Sequence, residues 1–307
     1  MRESSSKGNP AALLGQLASI LLDKEAQIRL VLTALIAGGH VLLEDLPGLG
    51  KTTLALGLAR SLDLPFARLQ MTADILPGDI LGSNFYDPAQ RSFVFRAGPI
   101  FHSLLLVDEI NRAPPRAQSA LMEAMAEGQV SLEGACYPLP HPFFVIATQN
   151  PEEFDGVFPL PENQLDRFLL SLSLGYPSRE AEMRLLRGEA VAPEQVEPQA
   201  DANVLLEWQA AARSVFLSPE IRGLLLDLAE HSRRDPALRF GISPRALLAL
   251  QAAARASAFL AGREFVTPDD LRAVTVAVLA HRLRWRDPGD SQGQLQTLLR
   301  RCWGFGV

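Results

Sequence analysis

From Val41 to Leu62 the chain reads VLLEDLPGLGKTTLALGLARSL: an apolar run, a turn with two glycines, then a run that suits a helix. A strand that leaves through such a turn and enters a helix at a lysine and a threonine is confined to few folds. The backbone N–H groups of the turn converge at the helix N-terminus, where the helix dipole also favours an anion. The pattern G-x-x-x-x-G-K-[ST] is met from Asp45 to Thr52 except at its first position, which is Asp45. Gly48 and Gly50 let the backbone crowd around phosphates, Lys51 can reach the β and γ groups, and the Thr52 hydroxyl can bind Mg²⁺. Asp45 is expected to be tolerated because aspartate enters left-handed backbone conformations more readily than most residues. Its carboxylate must then point away from the phosphates, since like charges repel.

A bound nucleotide is not yet a hydrolysed one, and the other parts have to be found elsewhere. LLLVDEINRAPP, from Leu104, is an apolar strand ending in Asp108 and Glu109. The first acid can hold Mg²⁺ and its waters; the second can orient and polarise an attacking water. FFVIATQNP, from Phe143, is a second buried strand, and Asn150 at its end could bond the lytic water or the γ-phosphate. Arg167, in LPENQLDRF, precedes an apolar strand and could project toward a neighbouring subunit. Arg245, in GISPRALLAL, follows a Ser-Pro helix start that fixes it on the first turn of a helix.

Up to about Tyr176, strand-like runs at His40, Phe66, Ser103, Phe143 and Phe168 alternate with helical patterns. Continuous apolar runs of this kind suit a parallel sheet covered on both faces. Beyond Pro177 the strand signal fades. Ser218-Pro219, Ser243-Pro244 and Thr267-Pro268 each offer a hydroxyl cap followed by proline at the first helical position. The expected organisation is a polar tail over 1–12, an α/β domain over 13–176 and a helical domain over 177–307, with EAVAPEQVEPQADAN as a polar connector. The net charge of −6 argues against broad electrostatic binding to nucleic acid. Two distant cysteines, Cys136 and Cys302, form no disulfide framework. The N-terminus lacks the apolar core of a signal peptide, and no apolar run approaches the roughly 18 residues of a membrane span. A soluble, cytoplasmic protein is expected.

The order and identity of these motifs resemble an AAA+ ATPase, and most closely the MoxR family. The resemblance runs from roughly residue 26 to 284, about four-fifths of the chain, in LEDLPGLGKT, RLQMTADILPGDILG, VDEINRAPPRAQSALMEAM, ATQNP, LPENQLDRF, GISPRA and FVTPDDLRAVTVAVLAHRL. It implies that Gly48, Leu49, Gly50, Lys51, Thr52 and Thr53 form Walker A, with Pro47 beside them in the nucleotide site. Asp108 and Glu109 match Walker B, Asn150 sensor 1, Arg167 the arginine finger and Arg245 sensor 2. Thr52 and Asp108 are the expected metal holders, with ATP and Mg²⁺ as cofactors. The implied fold is an α/β P-loop domain with a parallel αβα sheet and a helix-2 insert, followed by a small all-α lid. The family further implies a ring, usually of six copies, and chaperone-like remodelling of a protein partner, often one with a von Willebrand factor A domain. The inserts GSNFYDPAQRSFVFRAGPIF and QVSLEGACYPLPHPFFV are expected to be hairpins. Phe85, Tyr86, Phe93 and Phe95 either touch substrate or only pack the sheet. A DNA-acting motor would cluster Lys and Arg on these hairpins, whereas the first carries Arg91 and Arg96 beside Asp87 and the second only Glu133. A magnesium-chelatase-like subunit and a nucleotide-gated switch with little turnover are the remaining alternatives; Glu109, Asn150 and Arg167 together speak against the switch.

Overall fold

The computed structural model describes residues 8–151, 156–287, 289 and 291–304. By contacts the chain forms two units. One holds the residues up to Glu25, Leu42–Arg167 and Ser173–Leu206; the other holds Ala26–Val41, Phe168–Leu172 and the chain from Glu207 onward.

The α1 helix (Pro10–Ile20) opens the first unit, capped by the Asn9 side chain on the Ala11 N–H at 2.9 Å. It thus begins inside the stretch expected to be a tail; residues 1–7 of that stretch lie outside the described residues. The asparagine cap and Pro10 explain why the helix starts there. After α2 (Glu25–Ala37) come β1 (Val41–Glu44), α3 (Lys51–Ser61) and β2 (Phe66–Gln70). α4 (Pro77–Leu81) follows, and the first insert then forms the β3–β4 hairpin (Gly82–Asp87 and Ser92–Ala97). The hairpin turn is closed by the Asp87 carboxylate, which accepts the Ala89 N–H at 2.8 Å.

Next are β5 (Leu104–Asp108), α5 (Pro115–Glu127), the second hairpin of β6 (Gln129–Leu132) and β7 (Ala135–Pro138), and β8 (Phe144–Gln149). The strands β2, β5, β8 and β1 lie side by side in that order. β2 and β8 both run parallel to β5, which is buried along its whole length. Leu104 to Val107 and Val145 to Ala147 are wholly sequestered, as are Leu54 and Leu58 of α3. This is the pattern of a strand covered on both faces, and it aims the polar ends of β5 and β8 at the same edge as the glycine turn after β1.

The short α6 (Glu162–Leu165) precedes β9 (Leu170–Leu172), and α7 (Arg179–Leu186) follows it. The connector returns along the first unit: the Val191 N–H bonds the Ser19 carbonyl at 3.0 Å and the Gln199 N–H bonds the Ser61 carbonyl at 2.7 Å. Contacts therefore group residues 173–206 with the nucleotide loop, whereas the sequence expectation draws the junction at 176/177.

The second unit is mainly helical: the end of α8 (Ala202–Ser214), α9 (Pro219–Arg234), α10 (Pro244–Leu260), α11 (Pro268–Leu279) and α12 (Ser291–Trp303). The hydroxyls of Ser218 and Ser243 cap α9 and α10, and Thr267 and Asp270 form a capping box on α11. Asp270 also receives both terminal nitrogens of Arg263 at 2.6 Å, a bidentate pair that offsets the burial of its charge. Two short pieces, β10 (Leu238–Phe240) and β11 (Arg284–Trp285), pair antiparallel within this unit.

His281 is buried in the second unit, its Nε2 donating to the Phe168 carbonyl at 3.0 Å. Burial, reinforced by the neighbouring Arg282 charge, pushes its pKa down to about 3 from 6.5. The unfolded chain therefore takes up this proton first. Its stabilising effect is complete above pH 6.5 and is lost toward pH 3, at about 1.4 kcal/mol per pH unit. His281→Gln retains a donor for Phe168 and has no such titration. Its stability to urea should fall less steeply than the wild type's between pH 6.5 and 4.5; equal slopes would assign the acid sensitivity to other groups.

Candidate nucleotide-binding and catalytic site

The turn between β1 and α3 has left-handed backbone at Gly48 and Gly50, with φ of 85° and 90°. A β-carbon at Gly50 would also meet Leu21 Cδ1 at 2.6 Å, a side-chain end that can move aside. The left-handed backbone is what favours glycine at that position. Lys51 starts α3, and its ammonium donates to the Asp45 carbonyl at 2.8 Å. Burial lowers its pKa, opposed by the charges of Asp45, Asp108 and Glu109.

Asp45 itself is not left-handed. The reason expected for its tolerance is therefore not the operative one. Its carboxylate is buried and accepts three hydrogen bonds: from the Ser173 hydroxyl at 2.6 Å, the Leu174 N–H at 2.6 Å and the Gly175 N–H at 3.1 Å. It faces away from the loop's anion-binding side, as like-charge repulsion demands, and ties the loop's entrance to the segment after β9. Glycine at this position would make none of these bonds.

Pro47, Gly48, Gly50, Lys51, Thr52 and Thr53 line a cavity of about 320 Å³ together with Asp108, Glu109, Thr148 and Asn150. Leu49 lines an adjoining, more apolar cavity, also about 320 Å³, with Ile20, Leu21, Leu22, Pro177, Val191 and Pro193. Gly48, Gly50 and Thr53 border both cavities. A polar chamber under cationic and N–H donors, opening beside an apolar slot, has the chemistry of a triphosphate with an attached flat base.

The acids at the end of β5 are held by several donors. Thr148 Oγ1 accepts the Glu109 N–H at 3.0 Å and donates to Asp108 Oδ1 at 3.2 Å. Arg68 Nε bonds Asp108 Oδ2 at 2.7 Å. Gln70 Nε2 donates to Glu109 Oε2 at 2.8 Å, and Arg112 Nε forms an ion pair with the same oxygen at 3.0 Å. Glu109 has φ of 55° and ψ of 52°, a left-handed conformation that costs a glutamate on the order of 1 kcal/mol or more. Such strain, held in place by the Thr148 bond, is what a side chain aimed into a reactive pocket exhibits.

Among the described residues no group of three or more His, Cys, Asp or Glu is placed to hold a metal. Thr52 and Asp108 supply hard oxygen donors in one cavity, a partial set that suits Mg²⁺ when nucleotide phosphates and water complete it. Arg167 follows α6, half-buried, and is not among the residues lining this cavity. Arg245 is the second residue of α10, exposed, in the other unit.

The described hairpins match the two inserts. Phe85, Tyr86 and Phe93 are exposed, Phe93 to 71%, while Phe95 stacks on Tyr137 of β7 with centroids 3.9 Å apart. Phe95 therefore packs against the second hairpin, while Phe85, Tyr86 and Phe93 are exposed on the first.

The family model for the ATPase family associated with various cellular activities (AAA) matches residues 40–170, and that for the AAA lid domain matches residues 230–302. Protein YeaC of Bacillus subtilis (strain 168) is 40% identical over 284 residues, 92% of this chain and 89% of the relative. Chaperone MoxR1 of Mycobacterium tuberculosis (strain ATCC 25618 / H37Rv) is 40% identical over 273 residues, 86% of this chain and 72% of the relative. This chain belongs to the MoxR family of AAA+ ATPases. A crystal structure from Cytophaga hutchinsonii ATCC 33406 has the same fold, with a TM-score of 0.87 at 32% identity over 96% of this chain and 94% of that one. Within the MoxR framework the AAA match contains every residue of the polar cavity and Arg167, and the lid match contains Arg245.

Sequence reasoning overlooked Arg68, Gln70, Arg112 and Thr148 as parts of the acid cluster. A signal was present for two of them. In FARLQM the polar residues Arg68 and Gln70 fall two apart, so they share a face of β2, and they stand near the strand's C-terminal end.

Proposed function

We propose that the chain binds ATP with Mg²⁺ in this cavity, hydrolyses it, and uses the cycle to remodel a protein partner. The observation that carries the reading is the convergence of Lys51, Thr52, Asp108 and the strained Glu109 on one phosphate-sized cavity. The proposed nucleotide-binding domain covers 13–176 and the lid 177–307; the family matches over 40–170 and 230–302 fall within these ranges, while contacts group 173–206 with the first unit.

In this reading the loop N–H groups and Lys51 bind the phosphates, and the apolar slot beside Leu49 takes the base. Thr52 and Asp108 would hold Mg²⁺, which supplies charge neutralisation on the β and γ oxygens. Glu109 orients a water and accepts its proton as the water oxygen bonds to the γ-phosphorus and the bond to the β–γ bridging oxygen breaks. Asn150 positions that water or the γ-phosphate. Arg167 acts on the nucleotide of a neighbouring copy in a ring, proposed to have six members, and Arg245 senses the phosphates from the lid. The printed name of the Mycobacterium relative, a chaperone, supports remodelling. The exposed aromatics Phe85, Tyr86 and Phe93 are the proposed partner contacts, and a von Willebrand factor A domain is the proposed partner class. Nucleic acid is disfavoured because Arg91 and Arg96 are balanced by Asp87 and Glu133 on the two hairpins. Among the described residues no helix is long and apolar enough to cross a membrane, and a cytoplasmic location is proposed.

Glu109→Gln should leave ATP affinity within a few-fold and reduce phosphate release by roughly 10²–10⁴, the usual range for a general base. Titration and a phosphate assay separate the two quantities; near-normal release would remove Glu109 from catalysis. The ring is tested by mixing. Lys51→Ala copies keep a sound Arg167, Arg167→Ala copies keep a sound loop, and each alone should be nearly inactive. In a one-to-one mixture about a quarter of interfaces join a sound loop to a sound arginine, so activity should recover toward that fraction of wild type. Mixed rings, verified by native mass spectrometry, that stay inactive would contradict a shared site.

A further inference from the structure

Arg68 projects from β2 into the polar cavity and pairs with the acid assigned to the metal. In the parallel register of β2 on β5, Arg68 stands opposite Leu106 and Gln70 opposite Asp108. The alternation of the strand puts Arg68 and Gln70 on one face, so the long guanidinium reaches two residues along to Asp108. Its Nε lies 2.7 Å from Oδ2, while Oδ1 already accepts the Thr148 hydroxyl at 3.2 Å. Both carboxylate oxygens are therefore engaged. The side chains differ in burial, 54% exposed for Arg68 and 10% for Asp108, so the acid is fixed and the arginine is the member free to move.

We propose that Arg68 is an internal counter-ion that competes with the divalent cation for Asp108. This rests on the reading that Asp108 holds the metal of a bound nucleotide. Without the cation, the guanidinium offsets the desolvated carboxylate, and the acid pair stays in place in an empty cavity. When a divalent cation arrives with nucleotide, it must displace the arginine from Oδ2. A pair with one half-exposed member is weak enough for this, since solvent screening and lost side-chain entropy on the arginine offset much of its attraction. The released guanidinium remains in a cavity that now holds phosphate charge. Arg68 is thus a positioning residue that sets how much divalent cation the site needs, and Lys51 remains the fixed phosphate contact.

The test measures metal affinity without turnover. Full-length protein saturated with ADP is titrated with Mn²⁺ as the probe, and free Mn²⁺ is followed by electron paramagnetic resonance. Arg68→Gln should bind Mn²⁺ roughly five-fold more tightly than wild type, about 1 kcal/mol. Arg68→Lys, which keeps the charge, should stay within about two-fold of wild type. Unchanged or weaker binding in Arg68→Gln overturns the competition, as does equal tightening in both variants. Asp108→Asn separates this from the parent reading. If wild type binds Mn²⁺ and Asp108→Asn does not, a failure in Arg68→Gln sinks the counter-ion proposal alone. If Asp108→Asn binds as wild type does, the metal assignment itself falls, and the proposal with it.

Discussion

The carboxylate of Asp45 accepts the Ser173 hydroxyl and the backbone N–H groups of Leu174 and Gly175, and the geometry of the nucleotide cavity follows from that attachment. A buried carboxylate with no partner would be costly. With three donors it becomes a fixed point, each bond to the charged group worth about 1.5–3 kcal/mol. It anchors the loop entrance from outside, and the loop's N–H groups are left for an anion. The same residue's carbonyl receives the Lys51 ammonium, so both ends of the loop are referred to one residue.

The second constraint is electrostatic. Asp108 and Glu109 stand side by side at the end of β5, where their mutual repulsion must be offset in the absence of a cation. Arg68 and Gln70 donate to them, Arg112 forms an ion pair with Glu109, and Thr148 bridges the two through its hydroxyl. The acids are in this way held in the cavity before any ligand arrives. Preorganised groups of this kind cost little reorganisation when charge develops at a reacting phosphate.

Much of the molecule was legible in the sequence because its signals are local. The apolar runs at His40, Ser103, Phe143 and Phe168 became β1, β5, β8 and β9, since continuous burial leaves a continuous apolar trace, and the run at Phe66 became β2, a half-exposed strand at the sheet edge. The Ser-Pro and Thr-Pro starts marked α9, α10 and α11, since cap and proline act within one turn. The pieces β10 and β11 are too short to show a period, and they pair across residues far apart in the chain. Lys51, Thr52, Asp108, Glu109 and Asn150, each read from its own local motif, line one cavity, whereas Arg167 does not line it. The non-local partners did not show: Ser173 lies 128 residues from Asp45, and Arg68 lies 40 from Asp108. Asp45 was read through its backbone preference, whereas its side chain is what the fold uses.

Asp45→Gly restores the first glycine of the general phosphate-loop pattern and so separates the two explanations. ATP affinity is measured by calorimetric titration, at a temperature where both proteins are folded. With Asp45 as the anchor, the glycine variant loses the three bonds to residues 173–175 and should bind ATP at least about ten-fold more weakly, with lower stability as well. ATP affinity equal to or better than wild type would show that the loop needs only backbone freedom at this position, and would contradict the account.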